Sequence, residues 1–83
     1  MTDLAISASD VLRAVQGVLA TVLSGPTAES FTPERSILDY GVSSIQMVQI
    51  HARMESVLGR QIPKAALFDH PTIGDLVTFL AGA

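Results

Sequence analysis

The amino-acid sequence predicts an all-α fold, a small antiparallel bundle of three main helices with a short helix before the last one. Apolar residues recur at helical spacing in three separate segments of the chain. Serine or threonine precedes each segment and glycine follows it, and these residues are typical of helix N-caps and C-caps. The apolar fraction of 48% is large enough for a packed core and argues against a disordered chain.

Length and composition limit what the chain can be. Its 83 residues suit one small domain, for which we expect bounds of 1–83 and a helical core over about 9–81. The absence of cysteine excludes a disulfide framework and a thiolate metal site. The first residues lack the features of a signal peptide, and no apolar run is long enough to span a bilayer. We therefore expect a cytoplasmic protein that makes no membrane contact.

The charge balance argues against one class of ligand. Five basic and eight acidic residues give a formal net charge of −3, and an acidic chain is not attracted to phosphate backbones. The second predicted helix offers only Arg53 as a cation that could contact bases. We therefore expect no nucleic-acid partner.

The first predicted helix covers 10–23. Its apolar residues form one continuous stripe at Val11, Leu12, Val15, Val18, Leu19 and Val22. Ser7 or Ser9 can cap its start, and the run Ser24-Gly25-Pro26 ends it, with glycine favoured at the C-cap. The long connection 27–41 has no sustained period. We expect a turn at 33–35 and burial of Phe31, Ile37 and Leu38 against the bundle.

The second predicted helix runs from Ser44 to Leu58 and ends at Gly59. Ser43 is a good N-cap, and Gln46 completes a Ser-x-x-Gln capping box. Gly41 allows the backbone before the helix to bend sharply. The predicted core-facing residues are Met47, Ile50, Met54 and Val57. A second stripe, expected to be partly exposed, contains Ile45, Val48 and Ala52, with Gln49 beside it.

The remaining chain predicts two more helices. A short one is expected over 64–68, with Pro63 at its first position and with Leu67 and Phe68 pointing inward. The last helix is expected to begin at Thr72 as N-cap and to end at Gly82. Thr72 and Asp75 are expected to form a capping box, with Asp75 in place of the usual Glu. His70 is expected to pack or cap next to Pro71. The full predicted core is Val11, Leu12, Val15, Leu19, Met47, Ile50, Met54, Phe68, Ile73, Leu76 and Leu80.

Ser44 stands out as a site for an anionic group. As the first helical residue after the cap, its hydroxyl is expected in solvent beside the positive end of the helix. Free N–H groups and the helix dipole would hold a phosphate attached there. Catalysis by Ser44 is not expected, because Gly-Val-Ser-Ser is not a nucleophile elbow and His51 lies two helical turns away. Two histidines without a third ligand are a weak basis for a metal site, so none is expected.

The run Ile37-Leu38-Asp39-Tyr40-Gly41-Val42-Ser43-Ser44-Ile45 resembles the phosphopantetheine attachment signature of acyl and peptidyl carrier proteins. The modified serine of that signature falls on Ser44, and Ser43 replaces the usual Asp or His before it. The run 67–73, Leu-Phe-Asp-His-Pro-Thr-Ile, resembles the segment before the final helix of type I polyketide and peptide carriers. The resemblance covers the chain from Asp10 to Leu80 and implies an acyl-carrier-protein-like four-helix bundle.

The resemblance implies a non-catalytic carrier. A 4′-phosphopantetheine arm from coenzyme A would sit on Ser44, with Ser43 and Gly41 shaping the site, and would hold acyl intermediates as thioesters. Ile45, Val48, Ala52 and Gln49 would form the docking face for a phosphopantetheinyl transferase and for synthase domains. These include ketosynthase, acyltransferase or adenylation domains. As an isolated domain the chain is expected to be a monomer.

The resemblance leaves several assignments open. Neutral Gln46 and Gln49 stand where fatty-acid carriers place acidic residues, which favours polyketide or nonribosomal peptide assembly lines. The absence of a Gly-Gly-His-Ser run favours the polyketide side over a peptidyl or aryl carrier. A carrier-like docking module with an unmodified Ser44 is a further alternative. The sequence allows both a free-standing protein and a domain of a larger synthase.

Overall fold

The computed structural model describes residues 7–25, 27–70 and 72–82. Four α-helices are present in these ranges: α1 at Ala8–Leu23, α2 at Ser44–Leu58, α3 at Ala66–Asp69 and α4 at Ile73–Gly82. The long connection between α1 and α2 contains two 3₁₀ helices, at Ala28–Ser30 and Ile37–Tyr40. The described residues contain no strand, so the predicted all-α fold is confirmed. Within them, no helix is both long and apolar enough to cross a bilayer.

Helix α1 packs against both α2 and α4 and contributes to the centre of the core. Nine of the eleven predicted core residues are buried, and Leu12 is partly buried at the edge of the core. Among the described residues, the buried apolar side chains are Val11, Val15, Val18, Leu19, Phe31, Ile37, Met47, Ile50, Met54, Ile62, Ala66, Leu67, Ile73, Leu76, Val77 and Leu80.

Three residues expected to be buried are exposed instead. Phe68 is 62% exposed, because α3 is a single turn that buries Leu67 and directs the next side chain about 100° away. Val57 is 59% exposed, because Leu58 rather than Val57 continues the buried face of α2 after Met54. Leu38 is 53% exposed. Its 3₁₀ helix has three residues per turn, so successive side chains point about 120° apart, and Ile37 takes the buried direction.

The α1–α2 connection is held against the bundle by side-chain contacts. Phe31 is fully buried, and its carbonyl oxygen accepts a hydrogen bond from Gln16 Nε2 of α1 at 3.0 Å. The Phe31 and Tyr40 rings lie 4.7 Å apart, and the Tyr40 hydroxyl donates to the Ser30 carbonyl oxygen at 2.9 Å. The expected turn at 33–35 is present. The connection is therefore a packed part of the fold.

The same connection caps the start of α4. The Ile73 N–H donates to the Arg35 carbonyl oxygen at 2.8 Å, and the Gly74 N–H donates to the Pro33 carbonyl oxygen at 2.9 Å. The Asp75 N–H donates to Thr72 Oγ1 at 3.0 Å, which confirms the predicted threonine cap. Three N–H groups that a helix cannot pair internally are thus satisfied, two of them by a segment distant in sequence.

Two predicted helix boundaries are corrected. The C-cap of α1 is Ser24, which takes the left-handed conformation at φ 52° in place of the expected glycine. The short helix begins at Ala66 rather than Lys64, so Pro63 does not occupy its first position. The Pro63 carbonyl oxygen instead accepts a hydrogen bond from the Ala66 N–H at 3.0 Å, which forms a turn before the helix. Ser7 caps α1 as predicted, with its hydroxyl accepting from the Asp10 N–H at 3.2 Å.

Two helical glycines should respond oppositely to alanine. A Cβ at Gly17, in the middle of α1, would meet no atom within 4 Å, so Gly17→Ala should stabilise the protein by about 1 kcal/mol through helix propensity. A Cβ at Gly74 would lie 3.1 Å from the Pro33 carbonyl oxygen and 3.2 Å from Pro33 Cβ. The proline ring cannot yield easily, so Gly74→Ala should cost about 1–3 kcal/mol.

Urea unfolding of both variants measures these changes in the free energy of unfolding. Equal effects of the two substitutions would contradict the described contact between α4 and the α1–α2 connection.

Candidate functional site

The candidate site is built at the start of α2, where the backbone is set by two successive caps. The 3₁₀ helix Ile37–Tyr40 begins at a capping box of Ser36 and Asp39 and ends at Gly41. Gly41 has φ 71°, and its N–H donates to the Leu38 carbonyl oxygen at 3.2 Å. Glycine adopts this left-handed conformation without the steric cost that a Cβ brings. Gly41 therefore performs the bend that the sequence predicted.

Ser43 is the N-cap of α2, and the predicted capping box is present. Its hydroxyl accepts a hydrogen bond from the Gln46 N–H at 3.1 Å. The Gln46 side-chain oxygen accepts a hydrogen bond from the Ser43 N–H at 2.9 Å. Each residue thus satisfies an N–H group of the other, which defines where the helix begins. Ser44 follows as the first helical residue.

Ser44 has an accessible hydroxyl. The residue is exposed, and its hydroxyl takes part in no hydrogen bond with the described residues. The backbone N–H groups of Ser44 and Ile45 likewise take part in none of the hydrogen bonds within those ranges. The open end of a helix with free N–H groups favours a negatively charged group. The site can therefore hold a phosphate ester on Ser44.

A groove of about 330 Å³ leads away from Ser44 between α2 and the α3 region. We call it the arm groove. Its lining residues come from both sides: Ser44, Met47, Val48, His51, Lys64, Leu67 and Phe68. The exposed ring of Phe68, which the sequence placed in the core, lines this groove. The outward direction of Phe68 thus forms part of a largely apolar surface next to Ser44.

The α2–α3 linker is tied to α2 through one residue. The Ile62 N–H donates to Glu55 Oε2 at 2.8 Å, and the Ile62 carbonyl oxygen lies 2.7 Å from His51 Nε2. Because a carbonyl can only accept, His51 Nε2 carries the proton of that bond. Both polar groups of the Ile62 backbone are therefore bound to α2, which places α3 across the arm groove. The sequence singles out His51 only for its distance from Ser44, and nothing local in the sequence signals its contact with Ile62.

The second stripe of α2 is exposed, as expected. Ile45 is 71% exposed and Val48 is 69% exposed, and Ala52 and Gln49 are also exposed. The stripe starts beside Ser44, and Val48 belongs to both the stripe and the arm groove. An exposed apolar strip of this kind is typical of a protein interaction surface. The seven predicted attachment and docking residues therefore lie between the turn at Gly41 and Ala52 in the third turn of α2.

The histidines form no metal centre in the described ranges. Those residues contain no group of three or more His, Cys, Asp or Glu side chains able to hold a metal ion. His70 packs as predicted, with its ring stacked on Phe79 at 4.4 Å between centroids. His51 is engaged with Ile62, as described above.

Comparison with known proteins identifies the class. The sequence profile described as phosphopantetheine attachment site matches residues 6–80. The chain therefore belongs to the phosphopantetheine attachment site family, in which 4′-phosphopantetheine is covalently attached to the protein. The exposed Ser44 hydroxyl, which has no hydrogen-bond partner among the described residues, and the adjacent groove fit such a group. Carrier domains of this family are not catalytic in themselves.

Relatives with curated descriptions belong to polyketide synthases. The chain is 37% identical over 62 residues to spectinabilin polyketide synthase system protein NorB of Streptomyces orinoci, an alignment covering 75% of this chain and 3% of that protein. It is 36% identical over 62 residues to pikromycin polyketide synthase component PikAII of Streptomyces venezuelae, covering 75% of this chain and 2% of that protein. The chain thus spans only a few percent of the length of these relatives.

A solved structure supports the carrier-protein fold. A free-standing peptidyl carrier protein from an uncharacterized secondary metabolic pathway of Acinetobacter baumannii superposes with a TM-score of 0.79 at 20% identity. The superposition covers 92% of this chain and 94% of that chain. The predicted acyl-carrier-protein-like bundle is therefore confirmed.

The two adjacent serines should differ in their effect on stability. Ser43→Ala removes the N-cap hydroxyl and should lower the free energy of unfolding by about 1 kcal/mol. Ser44→Ala removes an exposed hydroxyl that has no partner among the described residues, so stability should be unchanged or slightly higher. Urea unfolding of both variants tests this. A larger loss in Ser44→Ala than in Ser43→Ala would show that α2 begins elsewhere.

Proposed function

We propose that Ser44 is the attachment residue for 4′-phosphopantetheine in this chain. The observation that carries the proposal is the exposed Ser44 hydroxyl at the first residue of α2, which makes no hydrogen bond with the described residues and lines the arm groove. In the transfer, the Ser44 oxygen would attack the phosphorus of coenzyme A that bears the pantetheine. A phosphodiester forms, the nucleotide part leaves, and the serine proton passes to the transferase or solvent.

Ser43 and Gly41 serve this site by shaping the backbone. Gly41 turns the chain into α2, and Ser43 caps the helix so that Ser44 faces outward. An aspartate at the capping position would do the same through a carboxylate oxygen. Ser43 provides the hydrogen bond without the charge, so the cap itself is retained despite the departure from the family pattern.

The proposed role is to carry acyl intermediates between enzymes of a polyketide or mixed polyketide and nonribosomal peptide pathway. When bound, the prosthetic group supplies a flexible thiol that holds the acyl chain as a thioester. The polyketide synthase relatives favour the polyketide side. The peptidyl carrier structure bears on the fold alone at its level of identity. The chain itself contributes attachment and docking, and no catalysis, and we place it in the cytoplasm.

The docking face in this proposal is the exposed stripe of Ile45, Val48, Ala52 and Gln49. Its apolar side chains lose contact with water when a partner covers them, which favours association. Because Gln49 is uncharged, this contact should depend only weakly on salt. The partners are a phosphopantetheinyl transferase and synthase domains, such as ketosynthase, acyltransferase or adenylation domains.

Intact-protein mass tests the attachment site. The chain is incubated with coenzyme A, magnesium and a promiscuous phosphopantetheinyl transferase, in parallel with Ser44→Ala and Ser43→Ala. Wild type and Ser43→Ala should gain the mass of one phosphopantetheine, whereas Ser44→Ala should gain none. No gain in wild type with several transferases would instead assign the chain to docking modules without an arm. A gain in Ser44→Ala would place the arm on another residue.

Ile45→Asp tests the docking face. The substitution puts a charge at the first residue of the apolar stripe, next to Ser44, so the KM of the transferase for the carrier should rise about tenfold or more. Thr78→Asp, at an exposed position of α4, adds the same carboxylate away from the stripe and serves as the control. Circular dichroism confirms that both variants keep their helices. Unchanged kinetics in Ile45→Asp would remove this stripe from the docking model.

A further inference from the structure

A second groove, of about 360 Å³, lies between α1 and the C-terminal half of α2. We call it the basic groove. Arg13 and Arg53 both line it, one from each helix. Gly17 and Val57 also line it, and neither belongs to the arm groove or to the stripe beside Ser44. Nothing in the proposed carrier role requires this groove.

The groove concentrates positive charge on an acidic chain. The net charge is −3, yet the groove is lined by two of the five basic residues and by none of the carboxylates. Within residues 7–25, 27–70 and 72–82, neither guanidinium group forms a hydrogen bond or an ion pair. The other two arginines differ: Arg35 pairs with Asp39 at 3.8 Å, and Arg60 donates to the Leu80 carbonyl oxygen. The positive charge of the basic groove is thus available to an external group.

The groove also has apolar space between its charges. Val57, one of the residues that line the groove, is 59% exposed. Its neighbour Leu58 is partly buried, whereas Ser56 is exposed. A Cβ at Gly17 would meet no atom within 4 Å, so internal packing does not require a glycine. Glycine is a poorer helix former than alanine, and at this position it leaves the groove open to an incoming side chain.

We propose that the basic groove docks an acidic segment of a partner protein. An apolar side chain of that segment would lie over Gly17 against Val57, and carboxylates on either side would pair with Arg13 and Arg53. This arrangement satisfies both the charge and the apolar surface of the groove, which a phosphate backbone would not. The net charge of −3 opposes a nucleic acid and also disfavours a second copy of this chain.

The basic groove is separated from the attachment site along α2. Arg53 lies nine residues after Ser44 in the sequence, which is roughly 13 Å at 1.5 Å per helical residue. A partner held in the basic groove would therefore leave the Ser44 end of α2 accessible. Binding in the basic groove does not depend on modification of Ser44.

Nuclear magnetic resonance titration of the unmodified chain tests the proposal. The probe is a short helical peptide with a central leucine and a glutamate one helical turn away on each side. A second peptide with glutamine at both positions is the matched control. The glutamate peptide should shift the backbone signals of Gly17 and Val57, and the glutamine peptide should bind at least about tenfold more weakly. Raising the salt from about 50 mM to about 500 mM should weaken the binding.

Charge variants assign the effect to the groove. The double variant Arg13→Gln with Arg53→Gln should lose at least about tenfold in affinity for the glutamate peptide. Arg35→Gln removes an arginine outside the groove and should bind as wild type does. Ser44→Ala should also bind normally, so failure of the proposed carrier function would not affect this result.

Three outcomes would overturn the inference. Equal binding of the two peptides would show that the arginines recognise no carboxylate. Signal shifts on the stripe beside Ser44, without shifts at Gly17 and Val57, would place the peptide on that stripe and not in the basic groove. Sedimentation equilibrium that shows a dimer in wild type, lost when Arg13 and Arg53 are replaced, would assign the groove to a second copy of the chain.

Discussion

The position of Ser44 depends on the hydrogen bonds that start α2. The Ser43 hydroxyl and the Gln46 side chain satisfy each other's backbone N–H groups, and Gly41 turns the chain into the helix. A start one residue later would rotate each α2 side chain by about 100° relative to the entering chain. Ser44 would then no longer be the first residue of the helix. One local interaction thus places the accessible hydroxyl and the stripe that runs from it.

Hydrogen bonds between distant segments position both the α3 region beside α2 and the start of α4. His51 and Glu55 bind both backbone polar groups of Ile62, which brings the α3 region across from Ser44. Carbonyl oxygens of Pro33 and Arg35 accept hydrogen bonds from the first residues of α4. The two irregular connections are therefore structural parts of the bundle, and one of them forms a wall of the arm groove.

The two grooves give the domain two chemically different surfaces. The arm groove is largely apolar and contains the Ser44 hydroxyl, whereas the basic groove combines Val57 with the charges of Arg13 and Arg53. A carrier that meets several enzymes benefits from separate contacts, because one partner can remain bound while another reaches the serine. Salt weakens ion pairs with arginine because it screens exposed charges, and it has much less effect on apolar association. The two surfaces would therefore respond differently to ionic strength.

The sequence alone determined the four helices, most of the core, the capping box and the exposed Ser44. These features depend on local spacing, because a helical period and a cap involve residues three or four positions apart. The tertiary structure alone decided the outward direction of Phe68 and Val57, the contact of His51 with Ile62 and the capping of α4 by Pro33 and Arg35. An apolar residue at the edge of a helical stripe can face inward or outward, and only the position of the neighbouring elements selects between them. The same holds for the hydrogen bonds that join segments distant in the sequence.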